Sequence, residues 1–381
     1  MKKSLLALAL LGAFTASAFA EPSVTLYGRI DTGLVYTHKN LDNTAGSTDT
    51  FSMDSGVTTG SRWGLKGSED IGNAKVGFVL ESGFNSDDGT SGQNNRLFGR
   101  EAQVNISGAY GTLYAGRLGS IASDNGTLGY LGDVSAFPSA YGFVGNQQGS
   151  TGTAYGRYDN TLAYETPTFG GLQGAIMYSF KGDATVSDSN PKEVANAREN
   201  SGDADRYLAA GLRYKAGKAA VVLTGDMTMY SNDVNNVYHD VDNGYSFILG
   251  GNYDFGVAKV FAKATYFDNQ VNVIDSFSLI KDARALSTPQ ALALKGWGAE
   301  LGTNVPAFGG NFLAAVGYRD AKDVDDGSYK FKRWNAAVGY TYAFSKRTNV
   351  YGLAGYAQEK ANALDRKASG AQVGFGLVHK F

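Results

Sequence analysis

Arg29, Arg62, Arg117 and Arg157 are the residues of this 381-residue chain best placed to supply fixed positive charge. Each sits on the polar side of a stretch in which apolar and polar residues alternate, as do Asp31 and Lys66. A guanidinium stays protonated across the physiological range, so it offers ion pairing and anion attraction rather than proton transfer. Covalent chemistry has little to stand on. The chain has no cysteine, and its three histidines, His38, His239 and His379, form no visible serine–histidine–aspartate arrangement, which weighs against a lipase or protease. No G-x-x-x-x-G-K-[ST] run occurs, so the 51 glycines read as strand and turn residues rather than phosphate cradles. The run "DVDDG" (323–327) lacks the spaced acids and closing glutamate of a calcium loop and reads as a solvated turn. No metal and no cofactor are expected.

The stretches that position these charges alternate with period two. In "VTLYGRIDTGLVY", Val24, Leu26, Ile30, Leu34 and Tyr36 share one parity, and Thr25, Arg29 and Asp31 the other. "KVGFVLESGF" sets Val76, Phe78, Leu80 and Phe84 against Lys75 and Glu81, and "KRWNAAVGYTYAF" sets Trp334, Val338, Tyr342 and Phe344 against Arg333, Asn335 and Thr341. Such alternation means strands with one apolar and one polar face. Short turns such as "SEDIGNA" (68–74), "TPTFGG" (166–171) and "FSKRT" (344–348) alternate with long polar stretches near 38–60, 85–95, 181–205, 231–243, 268–295, 320–330 and 359–369. This pattern predicts an all-β fold, a transmembrane antiparallel β-barrel of about sixteen strands. A soluble β-sandwich is the competing architecture. The strands are long for one, and rings such as Tyr36, Tyr178, Tyr266, Tyr318 and Trp334 stand near the ends of the apolar faces, where a membrane interface would hold them.

Both ends of the chain agree with export to a membrane. Lys2 and Lys3, the apolar run Leu5–Phe14 and the small-x-small site Ala18-Phe19-Ala20 predict a secretion signal over 1–20 that is removed, leaving Glu21 first. Its loss takes the basic count from 34 to 32 against 36 acidic residues, near −4, which excludes a globally basic nucleic-acid binder. The other end, "AQVGFGLVHKF", alternates up to Phe381. A closed barrel has no free edge, so this strand must pair with the first. The terminal aromatic is similar to the signal by which outer-membrane proteins are recognised by the barrel assembly machinery.

Several ordered stretches carry a family resemblance: "SRWGLKGSEDIG" (61–72), "RLFGREAQVNISGAYGTLYAGR" (96–117), "RYDNTLAYETPTFGGLQG" (157–174), "FSKRTNVYGLAGY" (344–356) and "GFGLVHKF" (374–381). Together they resemble the trimeric general porins of Gram-negative bacteria, with a betaproteobacterial flavour, over essentially the whole mature chain. The resemblance implies a sixteen-stranded barrel over 21–381, a homotrimer in the outer membrane, passive diffusion of ions and small hydrophilic solutes, and an extracellular third loop folded into the lumen. That loop falls at about 118–156, and its Leu128, Tyr130, Leu131, Phe137, Tyr141 and Phe143 suit packing on a wall. In the family a basic wall cluster faces loop acids. Arg29, Arg62, Arg117 and Arg157, with Lys66, take the wall side here, and Asp124 and Asp133 are the only carboxylates in the loop. The expected consequence is a weak anion preference. Arg100 shares the parity of Ala102, Val104 and Ile106, which would put it at a loop end or interface. A substrate-specific channel is the alternative, and a plugged structural barrel ranks lower. Besides outer-membrane lipid, the basic residues Lys192, Arg198, Lys322 and Lys330 are candidates for bridging lipopolysaccharide phosphates.

Overall fold

The computed structural model describes residues 23–43, 46–137, 156–182, 197–234, 240–285 and 292–381; the segment expected to be a secretion signal, 1–20, lies outside them. The strands run β1 (Ser23–Asn40), β2 (Ser47–Ser55), β3 (Arg62–Asp70), β4 (Ala74–Gly83), β5 (Glu101–Gly108), β6 (Gly111–Gly119), β7 (Arg157–Glu165) and β8 (Leu172–Ser179). They continue as β9 (Arg206–Ala216), β10 (Ala219–Met229), β11 (Gly244–Asp254), β12 (Lys259–Gln270), β13 (Leu294–Ala307), β14 (Gly310–Asp323), β15 (Lys330–Ala343), β16 (Thr348–Ala361) and β17 (Arg366–Lys380). All seventeen segments belong to one sheet. β2 and β3 are two pieces of a single barrel strand, because both pair with β1, the first from Thr32 to Asn40 and the second from Ser23 to Arg29. The barrel therefore has sixteen strands.

Closure is made by β17 against β1, in a continuous antiparallel register from Arg29–Lys380 to Asn40–Ser369. Gly28 and Phe381 then exchange both backbone hydrogen bonds at 3.1 Å. A hydrocarbon bilayer offers no water to backbone amides, so a spanning sheet has to close on itself. The outward face is apolar, with Leu26, Leu113, Ile176, Leu223, Phe247, Leu301, Val338 and Phe375 all exposed. In water that continuous surface would far exceed the few hundred Å² a soluble monomer tolerates. In lipid it is the matching surface.

Parity places the expected side chains. Arg29 lies directly opposite Arg62, and Thr25 opposite Lys66, on the inner face. The short turns at 71–73, 109–110, 166–171, 217–218, 255–258, 308–309 and 344–347 sit at one end, and the long connections at the other. Three long stretches expected from polarity prove largely folded. Residues 38–60 hold the end of β1 and all of β2, and the 320–330 and 359–369 stretches shrink to turns at 324–329 and 362–365. Strand backbone extends beyond the apolar band because rim hydrogen bonds persist where outward side chains are already polar.

Phe381 also explains a glycine on the seam. A Cβ at Gly28 would meet the Phe381 ring at 2.4 Å and the Arg62 carbonyl at 2.7 Å. Gly28→Val should overpack the closing seam by roughly 1–3 kcal/mol. The check is the temperature at which the folded band on SDS gels converts to the unfolded one. That temperature should fall, and an unchanged value would mean the seam closes without this fit.

Candidate functional site

The inner surface is divided between a loop and a charged wall. The connection between β6 and β7 spans 120–156, and its described part, 120–137, turns inward. Ile121, Leu128, Tyr130, Leu131 and Val134 are buried with Ala163, Ala175, Met177, Ala209, Val222 and Ile248, inward residues of β7 to β11. Phe137 continues into a second cluster with Val35, Phe261, Leu313, Ala337 and Leu353. Each such side chain gains about 1.5–3 kcal/mol on full burial. The sequence expectation of an infolded loop is met for these residues; Tyr141 and Phe143 lie outside the described residues.

The wall carries a track of glycines where the loop passes. A Cβ at Gly211 would meet Ile121 at 2.6 Å, at Gly250 Val134 at 2.7 Å, at Gly302 Ala136 at 2.7 Å, and at Gly339 Phe137 at 3.1 Å. These glycines on β9, β11, β13 and β15 let the loop lie flat on the wall. Polar ties fix its height. Glu101 accepts from the Thr127 amide at 3.1 Å and hydroxyl at 2.6 Å, Tyr130 donates to Glu165 at 3.0 Å, and Lys263 donates to Ser135 at 3.3 Å.

Asp133 corrects the sequence reading. Instead of facing the arginine wall it pairs with Lys215 at 2.8 Å and Arg213 at 3.5 Å, both on β9. The 3-10 turn Leu131–Val134 buries Leu131 and Val134 on the wall, which lays Asp133 along β9 beside these cations. Arg213 also stacks over Tyr130, 4.3 Å from the ring centroid. The alternation of "RYLAAGLRYKA" put both cations on the inner parity, a signal left unused. Asp124 stays within electrostatic reach of Arg157.

The other wall gathers the arginines. Arg29 donates to Thr59 at 3.1 Å and Arg62 to the same hydroxyl at 3.0 Å. Glu81 draws in Arg100 at 2.7 Å, Arg62 at 3.5 Å and the Tyr27 hydroxyl at 3.1 Å. Arg157 donates to Asn125 of the infolded loop at 2.9 Å. Arg117 and Arg96 both grip Asp159, at 2.6 and 2.8 Å. Arg62 is within electrostatic reach of Arg29, Arg100 and Arg157, and Arg157 of Arg117. Two sequence expectations are revised. Arg100 precedes β5 and bends into the cluster through Glu81, because strand parity does not bind a residue outside the ladder. Lys66 keeps the inner parity but lies four residues from Arg62 toward the short turns, over the Tyr27 ring at 5.3 Å. At about 3.3 Å per residue it stands apart from the arginines.

Asp31 organises this wall, a role that sequence parity alone did not indicate. Between β2 and β3 the chain leaves the ladder over 56–61, turning at Gly56 with φ +70°, a left-handed value that favours glycine. The fully buried Asp31 carboxylate accepts from the Thr58 amide at 2.9 Å, the Thr58 hydroxyl at 2.6 Å and the Thr59 amide at 2.8 Å. Tyr351, across the seam on β16, donates to its other oxygen at 2.7 Å. That holds Thr59 where Arg29 and Arg62 both reach it.

A second loop also folds inward. Between β12 and β13, Phe277, Leu279, Ile280 and Ala283 pack with Ala321, Phe331, Ala357, Ala361 and Ala368, inward residues of β14 to β17. Its short helix α1 (Leu279–Arg284) is tied to β17 by Arg366–Asp282 at 2.5 Å. Below it, buried Arg319 and Arg333 pair with Glu359. Burial holds the Asp275 carboxyl above the ordinary carboxylate range. Taken alone, protonation of Asp275 favours the docked loop.

A closed barrel, narrowed from within by a wall-packed loop and lined by fixed charge, defines a membrane diffusion channel. The chain belongs to the Gram-negative porin family, whose model matches residues 7–362. It is 34% identical to an outer membrane porin protein of Bordetella pertussis, over 100% of both chains. It is 30% identical to outer membrane porin protein 32 of Delftia acidovorans, over 98% of this chain and 95% of that one. In fold it is similar to an anion-selective porin from Comamonas acidovorans, with a TM-score of 0.67 at 23% identity, covering 95% of this chain and 100% of that one. The protein is an outer-membrane diffusion channel.

Two substitutions test how the site is held. Asp31→Ala leaves the Thr58 and Thr59 amides without their acceptor and should cost about 3 kcal/mol of barrel stability. Urea unfolding followed by tryptophan fluorescence reads it, and an unshifted midpoint would refute the clamp. Gly250→Val removes the space occupied by Val134 and should displace the loop. Single-channel traces should then show altered conductance with frequent substates, whereas quiet steps of wild-type size would place the loop elsewhere.

Proposed function

We propose that the narrow passage lies between the infolded loop and the wall of β1 to β7, and that Arg29, Arg62, Arg100 and Arg157 set its field. The observation that carries this reading is the division of the interior. Loop residues 121–137 cluster with apolar side chains mostly of β7 to β16, with Tyr114 and Leu118 of β6 and Val35 of β1 at the margins, and Arg29, Arg62, Arg100 and Arg157 stand together beside them. Arg29 and Arg157 are held by neutral acceptors, Thr59 and Asn125. Glu81 and Asp159 neutralise part of the remaining charge. The surplus is positive but modest, which supports a weak anion preference for small hydrophilic solutes and ions. Asp124 contributes the opposing charge near Arg157, and Asp133 and Lys66 act outside this field. Charged rings of this kind select by sign in a low-dielectric passage.

The working unit in this reading is a homotrimer whose protomers each carry a pore. Residues 1–20 are removed on export, and Phe381, on the seam, serves the barrel assembly machinery. Lipopolysaccharide is the outer-leaflet partner.

Recordings in planar bilayers under a KCl gradient test the field. Wild-type protein should give ohmic steps in groups of three with a reversal potential of anion sign. Arg29→Gln/Arg62→Gln/Arg157→Gln should roughly halve the anion-to-cation permeability ratio. A cation-selective wild type, or a variant with unchanged selectivity, would remove the arginines from the role proposed for them.

A further inference from the structure

The outer face of β13 to β17 carries cations that no contact within the pore explains. On one rung of the ladder Lys295, Lys322 and Lys330 stand directly opposite one another across three strands. On the adjacent outward rung the order is Trp297, Asp320, Lys332, Lys360 and Lys367 across β13 to β17. Both rungs share the parity of Trp297 and Trp334, which are 49% and 44% exposed on the outside of the barrel. Like charges directly opposite in a sheet destabilise it. Six lysines face one carboxylate on these rungs, Asp320, which pairs with Lys332 at 3.3 Å. At the edges, Lys295 donates to the Val324 carbonyl at 3.3 Å, and Asp42 accepts the Lys367 amide at 2.7 Å.

The array also has shape and level. Lys295, Lys322, Lys330 and Lys332 line a pocket of about 450 Å³ whose apolar walls include Tyr266 and Trp297. Gly296 forms part of that pocket, and a Cβ there would lie 2.1 Å from the Asp320 carbonyl. Immediately below, toward the short turns, come the rings Tyr318, Trp334 and Tyr356, then the apolar band with Val316 and Val338. Rings mark the membrane interface. On their own strands Lys332 stands two residues, and Lys322 and Lys330 four residues, beyond Tyr318 and Trp334 on the long-loop side, about 7 and 13 Å along the strand. That is headgroup depth in the leaflet on which the long loops open. A lysine ammonium is a compact point charge suited to phosphate oxygens.

We propose that this face binds a phosphorylated glycolipid of the outer leaflet, with its phosphates among Lys295, Lys322, Lys330 and Lys332 and its acyl chains along the ring belt and apolar band. The occupant is a lipid rather than free phosphate because the cations are continuous with a lipid-facing surface. It rests on the lipopolysaccharide partnership proposed above and locates it. Of the four basic residues named from the sequence, Lys322 and Lys330 fall in the array. Arg198 lies by Asp203 at 3.9 Å, and Lys192 is outside the described residues.

The test is native mass spectrometry of the detergent-purified full chain, with bisphosphorylated lipid A as probe. Wild type should retain the lipid, and Lys322→Gln/Lys330→Gln/Lys332→Gln should retain it at least about tenfold less tightly, about 1.4 kcal/mol. The single variants Lys322→Gln and Lys330→Gln, at exposed side chains, should each lose about threefold. Dephosphorylated lipid A should bind as poorly to wild type as the intact lipid binds to the triple variant, and inorganic phosphate should not displace the intact lipid. Lys75→Gln, near the short turns, should bind like wild type. Equal retention by the lysine variants would overturn the site. So would equal retention of dephosphorylated lipid or phosphatidylglycerol, displacement by inorganic phosphate, or an equal loss in Lys75→Gln. Single-channel conductance of the triple variant should equal wild type, so failure of the lipid site leaves the diffusion channel intact.

Discussion

Everything in this molecule depends on the ladder closing between β1 and β17. A backbone amide in hydrocarbon has no water to turn to, and each orphan costs several kcal/mol. The pairing from Arg29–Lys380 to Asn40–Ser369 removes the last free edges and fixes which residues face inward on sixteen strands. The seam is also a functional boundary. Asp31 on its first strand accepts from Tyr351 on β16, so the clamp that holds Thr59 beside Arg29 and Arg62 spans the closure itself. Closure and charge placement are one structural event at this point.

Once the barrel is closed, its interior poses the opposite problem. A ring of sixteen strands is too wide for wall side chains to fill. Two loops occupy the space, each by a different means. The β6–β7 loop lies on a track of glycines and is tied down by Glu101, Glu165, Lys263 and the Arg213–Lys215 pair. The β12–β13 loop packs Phe277, Leu279 and Ile280 against alanines of β14 to β17, where small inward residues leave room. Beside the β6–β7 loop the wall carries Arg29, Arg62 and Arg157. The inner face thus joins small and apolar seats for the loops with charged residues that also lie under them, as at Arg213, Arg319 and Arg333.

The chain by itself determined the architecture. Alternation with period two, short turns against long connections and a strand running up to Phe381 contain the barrel, because side-chain direction in a strand follows from position alone. The same rule put Arg29, Arg62 and Lys66 on the inner face, and it put Arg213 and Lys215 there too. Tertiary structure decided what those residues meet. Asp133 could be located in the loop but not paired, since its partner depends on which way the turn at Leu131–Val134 settles on β9. Arg100 lay outside the ladder, where parity has no force, and only the fold brings it to Glu81. The break between β2 and β3 was hidden because a polar strand rim and a polar loop look alike in sequence, while Asp31, Thr58 and Tyr351 are as much as 320 residues apart along the chain. Direction is a local property of a strand; partnership across a lumen requires the closed barrel.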